Sequence, residues 1–388
     1  MIHSLLENDM YKFSMGQCIY NNFSSYTTTW KFKFRNWEKL GKVTPEMLNE
    51  IREQVDEYCS LRFKESELEY LQSIPWMKPA YVDFLRLWHP SSDEIEITDN
   101  DPSGLSITVK GSWLNTSMYE VPILAIVSEV YCKRHSTTTT VSNEDIFALS
   151  QRLSSSGIQY SEFGLRRRQS SAVQRKIIDE LRGTTGFLGT SNVYLAKMYD
   201  IKPMGTMAHE FIMCAGQGDL SRNPAYSNKA MMEAWTKEYG VDNGIALTDT
   251  IGTDMFLKDF DKKFATLFSG VRHDSGNPIE WGNKMIKHYE SLSIDPTTKT
   301  LLFSDSLTAE SAALIAQTFE GRAKTAFGIG TFISNPSPIK LNIVMKVVEC
   351  NGLPVAKLSD VPGKGMCEDQ EYIKYLNDAI EWRKKKGK

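Results

Sequence analysis

From about residue 155 onward the chain repeats one pattern: a short apolar run, a cluster of small, polar or charged residues, then a stretch with helical periodicity. The runs and their clusters read QYSEFGLRRR, GFLGTSN, KPMGTMAHE, GIALTDTIGTD, FSGVRHDSG, TLLFSDSL and KTAFGIGT. Between them lie AVQRKIIDELRG, NKAMMEAWTKEYG, WGNKMIKHYESL and TAESAALIAQTFEG, with apolar residues three and four apart. Short buried strands alternating with helices predict a parallel sheet, because a parallel pair needs a long crossover. Nearly every unusual residue cluster directly follows an apolar run. That is the distribution of an α/β barrel, whose chemistry collects where the βα loops converge. A doubly wound dinucleotide fold would show one dominant G-x-G-x-x-G after its first strand, and neither that motif nor a P-loop occurs. The expected fold is therefore an α/β barrel.

The earlier part differs. TTTWKFKFRN (27–36) alternates like a strand, and EMLNEIREQVDEYC (46–59) has helical periodicity. EIEITDN and GLSITVKGSW read as paired strands around a DPSG turn, and VPILAIVSEVYCKRH (121–135) as a buried helix. LNIVMKVVECNGLPVAKLSD returns to a β-pattern with an NG turn near the end. The expected organisation is an amino-terminal α+β domain (1–140), a catalytic barrel (141–340), and a β-rich C-terminal segment (341–388) completing the first domain. The TTTT at 137–140 is too short to count as low complexity, and WRKKKGK at the end reads as a solvated tail.

A net charge of −3 gives no electrostatic reason for a nucleic-acid or membrane partner. The start has no charged region followed by an apolar run, and no segment approaches the roughly 20 apolar residues of a membrane span. Six cysteines without paired spacing suit reduced thiols. A cytoplasmic protein is expected.

The clusters carry chemistry, each beside a plainer reading. SEFGLRRRQS (161–170) offers fork-shaped cations for an anion, with Arg166 foremost and Phe163 available for stacking; alternatively the arginines pair with acids. GVRHDSGNP (270–278) puts Arg272 and Asp274 at a strand end, suited to phosphate and ribose, or forms a turn closed by Gly276. Asp249 in LTDTIGTD could orient a sugar hydroxyl or face developing positive charge, while Asp254 reads as a helix cap. FGIGT (327–331) could ring a phosphate with bare backbone N–H groups or close a turn. LLFSDSL and FLGTSN are strand ends or caps. PMGTMAHE (203–210) contains no second histidine one turn on, which excludes the H-E-x-x-H zinc pattern. Its His209 is a structural group or, beside phosphate-binding loops, a phosphoryl acceptor with Glu210 as a candidate orienting carboxylate.

Taken in order, NDMYKFSM, SEFGLRRR, LGTSN, PMGTMAHE, ALTDTIGTD, GVRHDSG, FSDSL, FGIGT, LNIVMKVVECNG and KLSD resemble the nicotinate phosphoribosyltransferase family across essentially the whole chain. The resemblance implies an irregular α/β barrel with an amino-terminal α+β domain as the fold. As the reaction it implies transfer of phosphoribose from 5-phosphoribosyl 1-diphosphate to nicotinate, coupled to ATP hydrolysis through a phosphohistidine, the first step of NAD synthesis from nicotinate. It implies His209 as that histidine, with Glu210, Asp249 and Asp274 as catalytic carboxylates. Tyr11 and Phe163 resemble the rings that sandwich the pyridine, Tyr11 in relatives often reaching across a dimer. Arg166, Ser191, Thr206 and Arg272 resemble substrate contacts, and Gly328, Gly330 and Thr331 a cradle for the 5′-phosphate. Implied partners are nicotinate, 5-phosphoribosyl 1-diphosphate, ATP, Mg²⁺ not held by protein side chains alone, and a second copy in a homodimer.

Three rivals stand beside this reading. The same fold could take nicotinamide, against which neutral Ser191 and Asn192 in LGTSN favour an acid. A barrel aldolase or isomerase would want a lysine at a strand end, and none is conspicuous there. A non-catalytic nucleotide-binding module would have no reason to keep His209, Arg272 and Asp274 together.

Overall fold

A computed structural model describes residues 1–135, 141–217, 223–360, 367 and 369–386; the threonine run at 137–140 lies outside them. The alternation in TTTWKFKF becomes β1 (Thr27–Phe34), which buries Thr28, Trp30, Phe32 and Phe34 on one face. β2 (Ile95–Thr98) and β3 (Ser106–Ser112) form the expected antiparallel pair, Ile97 opposite Ile107. The helices Pro45–Ser60 and Glu120–His135 fall where the periodicity placed them. The helix Met10–Asn22 is buried on nearly every side, Lys12 included.

The second half supplies β4 (Tyr160–Glu162), β5 (Phe187–Thr190), β6 (Ile245–Leu247), β7 (Gly270–His273), β8 (Thr300–Phe303) and β9 (Lys324–Ile329). All are parallel, in the order β5-β4-β9-β8-β7-β6. KPMGTMAHE was expected to add another strand, and it does not. Residues 202–206 instead span the opening between β5 and β6. The Thr190 N–H donates to the Lys202 carbonyl (3.3 Å) and the Met204 N–H to the Thr190 carbonyl (2.8 Å), while the Thr206 hydroxyl reaches the Ile245 carbonyl (3.0 Å). Gly205 sits at φ +145 with the Tyr11 backbone close by, so no regular ladder forms there. This is what makes the barrel irregular.

The polar residues ending the strands often double as helix caps. Ser170, Asn192, Asn277 and Thr308 each accept a backbone N–H of the helix that follows. The neighbouring polar residues are left to face the mouth of the sheet.

β10 (Ile343–Cys350) and β11 (Leu353–Pro354) join the first sheet in the order β11-β10-β1-β3-β2. The C-terminal segment therefore completes the amino-terminal sheet, as its β-pattern indicated. It is not β-rich throughout, because Gln370–Lys386 is helical. Nor is WRKKKGK simply a solvated tail. Arg383 is buried, ion-paired to Asp259, bonded to the Ala225 carbonyl (2.6 Å) and stacked 3.9 Å from the Tyr226 ring centroid. Arg383→Ala leaves Asp259 buried and unpaired, a loss of roughly 3 kcal/mol in denaturant unfolding. A change under about 0.5 kcal/mol would show that the pair is immaterial.

Candidate active site

The C-terminal ends of β4, β7, β8 and β9, the start of the helix His209–Ala215, and strand β10 enclose one pocket. Its walls carry the cations Arg166, Arg272, Lys346 and Lys357, the carboxylates Glu120, Glu210 and Asp274, the rings Tyr11 and Phe163, and His209. Anions and a flat ring are the cargo such walls suit.

His209 is 7% exposed, and its Nε2 lies 2.8 Å from Asp249 Oδ1 and 3.6 Å from Asp274 Oδ2. Asp249 is a hub: its other oxygen takes Lys357 Nζ at 2.9 Å and the Ser275 hydroxyl at 2.6 Å. Burial and the Lys357 ammonium lower the pKa of His209, outweighing the pull of Asp249, so the ring is neutral. Burial works against ionised Asp249, but its hydrogen bonds and Lys357 hold its pKa well below the usual carboxylate range. A neutral imidazole facing a carboxylate carries its proton on the facing nitrogen. Nε2 is thus the N–H, and Nδ1, which makes no hydrogen bond among the described residues, keeps the lone pair.

His209, Asp249 and Asp274 also bring ligand atoms within 4.8 Å of one another, as a metal site would. The donor set does not fit one. The cation already there is Lys357, and Nε2 is committed as a donor to Asp249.

Arg272 is held by three partners. Its Nε donates to the Ser304 hydroxyl (2.8 Å), Nη1 to the Met207 carbonyl (3.0 Å) and Nη2 to Asp274 (3.0 Å), so the guanidinium plane is set before any ligand arrives. Burial opposes Asp274's charge, yet the Arg272 guanidinium, with Lys357 beyond it, brings its pKa down to about 2. On the opposite wall Arg166 lies 5.7 Å from the Tyr11 ring centroid, with Asp9 at 3.4 Å and Glu120 at 3.5 Å. Glycine at 328 is required by Phe163, since a Cβ there would lie 2.3 Å from the ring. Gly328→Ala displaces that ring, and the KM for an aromatic acid should rise on the order of tenfold, worth about 1.4 kcal/mol of stacking. An unchanged KM would remove Phe163 from the ring slot.

Two family models match the chain: the nicotinate phosphoribosyltransferase (NAPRTase) family over residues 158–383 and the NAPRTase N-terminal domain over 6–128. The chain belongs to the nicotinate phosphoribosyltransferase family. Curated relatives of that name include one from Xanthomonas axonopodis pv. citri, 41% identical over 98% of each chain. Another, from Burkholderia mallei, is 42% identical over 98% of this chain and 97% of the relative. Among solved structures, the Porphyromonas gingivalis nicotinate phosphoribosyltransferase superposes with a TM-score of 0.90 at 33% identity, covering 98% of this chain and all of that one. A Saccharomyces cerevisiae protein described as a putative nicotinate phosphoribosyltransferase gives 0.91 at 34% identity, covering 98% of each chain.

Of the residues the sequence singled out, Tyr11, Phe163, Arg166, His209, Glu210, Arg272, Asp274, Gly328 and Gly330 meet in one pocket. Other candidates are redirected. Glu210, expected to orient His209, turns to Lys12, Trp113 and the Ser117 hydroxyl (2.5 Å); adjacent side chains on a helix point about 100° apart. Asp249, expected at the ribose, is 1% exposed and serves His209 and Lys357. Ser191 gives its hydroxyl to Asp9 (2.6 Å), and Thr206 gives its own to Ile245; neither lines the pocket. The neutrality of Ser191 is therefore not a direct filter for the acid. Thr331 begins the short helix Thr331–Ser334 just outside the lining. Asp254 is not a cap but pairs with Lys284 (2.6 Å), Gly252 holding the cap position. Of the arginine run, Arg168 is buried against Glu7 (2.7 Å), and Arg167 bonds the Ile343 carbonyl.

Sequence reasoning missed Lys346 and Lys357. Neither stands at the end of a barrel strand; both come from the C-terminal segment. Both stand inside quoted motifs, LNIVMKVVECNG and KLSD. The Lys346 ammonium has no hydrogen-bond or ion-pair partner among the described residues, and burial, helped by Lys357 and Arg166, pushes its pKa down to about 8. No helix of the described residues is long and apolar enough to cross a membrane.

Proposed function

We propose that this chain makes nicotinate mononucleotide and diphosphate from nicotinate and 5-phosphoribosyl 1-diphosphate, driven by ATP hydrolysis through a phosphohistidine at His209. Family membership supports the phosphoribosyl transfer. The ATP step rests on one observation: a buried neutral imidazole whose Nε2 is committed to Asp249 while Nδ1 is free, in the same pocket as the ring slot.

Nδ1 attacks the γ-phosphorus of ATP, an N–P bond forms, the β–γ bridging bond breaks, and ADP leaves. Asp249 holds the tautomer and balances the positive ring as the Nδ1 bond forms. Lys357 and Arg272 face the incoming negative charge. Water later cleaves the N–P bond, releasing phosphate. In the transfer step the nicotinate ring lies between Tyr11 and Phe163 with its carboxylate toward Arg166, and the ring nitrogen displaces diphosphate at the anomeric carbon. That centre passes through an oxocarbenium-like state, which the Asp274 carboxylate stabilises. Lys346, without a carboxylate of its own, supplies a cation for diphosphate, and the backbone at Gly328, Gly330 and Thr331 serves the 5′-phosphate. Mg²⁺ accompanying the polyphosphates would supply charge neutralisation; the Asp249 group, already filled by Lys357, would not hold it. The homodimer remains part of this reading; Tyr11 itself lines this chain's own pocket.

The test is incubation with γ-labelled ATP and mapping of the bound phosphate. The expected label sits on His209 Nδ1, lost in acid and stable in base; a base-labile label would mean an acyl phosphate on a carboxylate such as Asp274. The pH dependence has a fixed sign. His209's pKa lies below the ordinary 6.5, so the nucleophile stays neutral at pH 7 and is lost only as pH falls through that lowered value. Phosphoenzyme formation should hold level from pH 8 to about 6.5 and drop on the acid side. A decline already centred above 6.5 would contradict the neutral ring.

A further inference from the structure

Lys357 reaches Asp249 from a stretch that belongs to neither sheet. Residues 357–360 lie over the loops following β6 and β7, and four contacts fix them there. The Leu358 N–H donates to the Thr250 carbonyl at 2.8 Å. Asp360 Oδ1 accepts the Thr253 N–H at 2.8 Å, and its Oδ2 accepts the Thr253 hydroxyl. The Ser359 hydroxyl meets that of Ser275 at 3.0 Å. Ser275 spends its one hydroxyl hydrogen on Asp249, so Ser359 is the donor of that pair. Between these anchors Ser359 adopts φ +64, a left-handed conformation that a serine holds only when its surroundings impose it.

We propose that Asp360 is a positioning residue for Lys357: by gripping Thr253 it keeps the strap in its turned conformation and the ammonium on the Asp249–His209 pair. Asp360 does not line the pocket and touches no reacting atom. Helix Thr253–Asp259 has glycine at its cap position, so an acceptor from a distant part of the chain replaces the missing side chain. That capping role alone would concern stability only. What exceeds it is the direct continuity from Asp360 through two residues to a lysine whose flexible stem has, among the described residues, no other ion-pair partner than Asp249 (2.9 Å) and, more distantly, Asp274 (3.9 Å). The consequence for ATP-driven turnover rests on the phosphohistidine reading; the placement of Lys357 does not.

The test follows the His209 ring by NMR titration in the full-length chain, with Lys357→Met as reference. The charged and titratable groups facing this ring are Lys357, Asp249 and Asp274, and Lys357 is the one that lowers its pKa. Lys357→Met should therefore raise the His209 midpoint. Asp360→Ala, and more weakly Thr253→Val, should raise it toward the same value. Asp360→Asn, whose amide oxygen still accepts the Thr253 N–H, should stay with the wild type. ATP stimulation of mononucleotide formation should fall in Asp360→Ala by up to about 100-fold. A midpoint in Asp360→Ala equal to that of the wild type, with Lys357→Met shifted, reduces Asp360 to a cap and overturns the proposal. No shift in Lys357→Met overturns it as well. If the midpoints move as expected but wild-type activity ignores ATP, the phosphohistidine reading fails and the positioning role stands.

Discussion

The His209→Ala chain is expected to form nicotinate mononucleotide at one and the same rate with and without ATP. The imidazole is the one neutral nitrogen nucleophile on the described pocket walls, and truncation removes the atom that would take the γ-phosphoryl group. ATP-driven phosphoenzyme formation should fall by on the order of 10⁶, the scale seen when a covalent nucleophile is deleted. The fold should survive. Asp249 keeps Lys357 at 2.9 Å and Ser275 at 2.6 Å, so no buried charge is orphaned. Residual transfer without ATP should persist, because Tyr11, Phe163, Arg166 and Arg272 do not depend on the ring. Parallel assays of diphosphate release and label incorporation check both halves. Continued stimulation by ATP in this variant would remove His209 from the mechanism.

The second large effect belongs to Asp249→Asn. The substitution keeps shape but turns an obligatory acceptor into an amide able to donate to Nε2. The ring then favours the tautomer with its proton on Nδ1, the atom that must attack. A fixed but wrong tautomer costs about 10⁴ in hydrolytic triads, and a similar loss in the rate of phosphoenzyme formation is expected here. The variant also leaves Lys357 with only the more distant Asp274 at 3.9 Å, so some thermal destabilisation accompanies the kinetic loss. Rapid quench with γ-labelled ATP separates the two, since a folded enzyme with a slowed burst isolates the tautomer effect. A burst within tenfold of the wild type would mean that Asp249 does not set the proton.

The fold was legible where side-chain periodicity decides structure. β1 alternates because TTTWKFKF alternates, and the strand–cluster–helix rhythm became a parallel sheet because such strands are buried on both faces. KPMGT failed as a strand for a local reason. Gly205 at φ +145, packed against the Tyr11 backbone, removes the regular conformation a ladder needs. The C-terminal helix was read as a tail because lysines dominate its last turn, although a single arginine there finds a buried partner.

Within the site, chain order identified which loops converge but not which way each side chain turns. Arg272, Asp274 and Phe163 stand on the pocket because each lies in the last residues of a strand or just past its end, and His209 because it opens a helix after the irregular 202–206 segment. Ser191 and Thr206 stand equally near in sequence and bond outside the pocket, and Glu210, though on its wall, turns to Lys12 and Ser117 rather than to His209.

What the sequence determined alone was residue type and local element: an imidazole after a turn, an arginine two residues before an aspartate, an aromatic before an arginine run. Tertiary structure alone decided the partnerships, pairing His209 with Asp249 forty residues away and Lys357 with both carboxylates from beyond the last barrel strand. The reason is physical. Periodicity encodes which face of an element is buried, whereas a hydrogen bond between distant loops depends on how strands of different lengths and irregular joints bring their ends together.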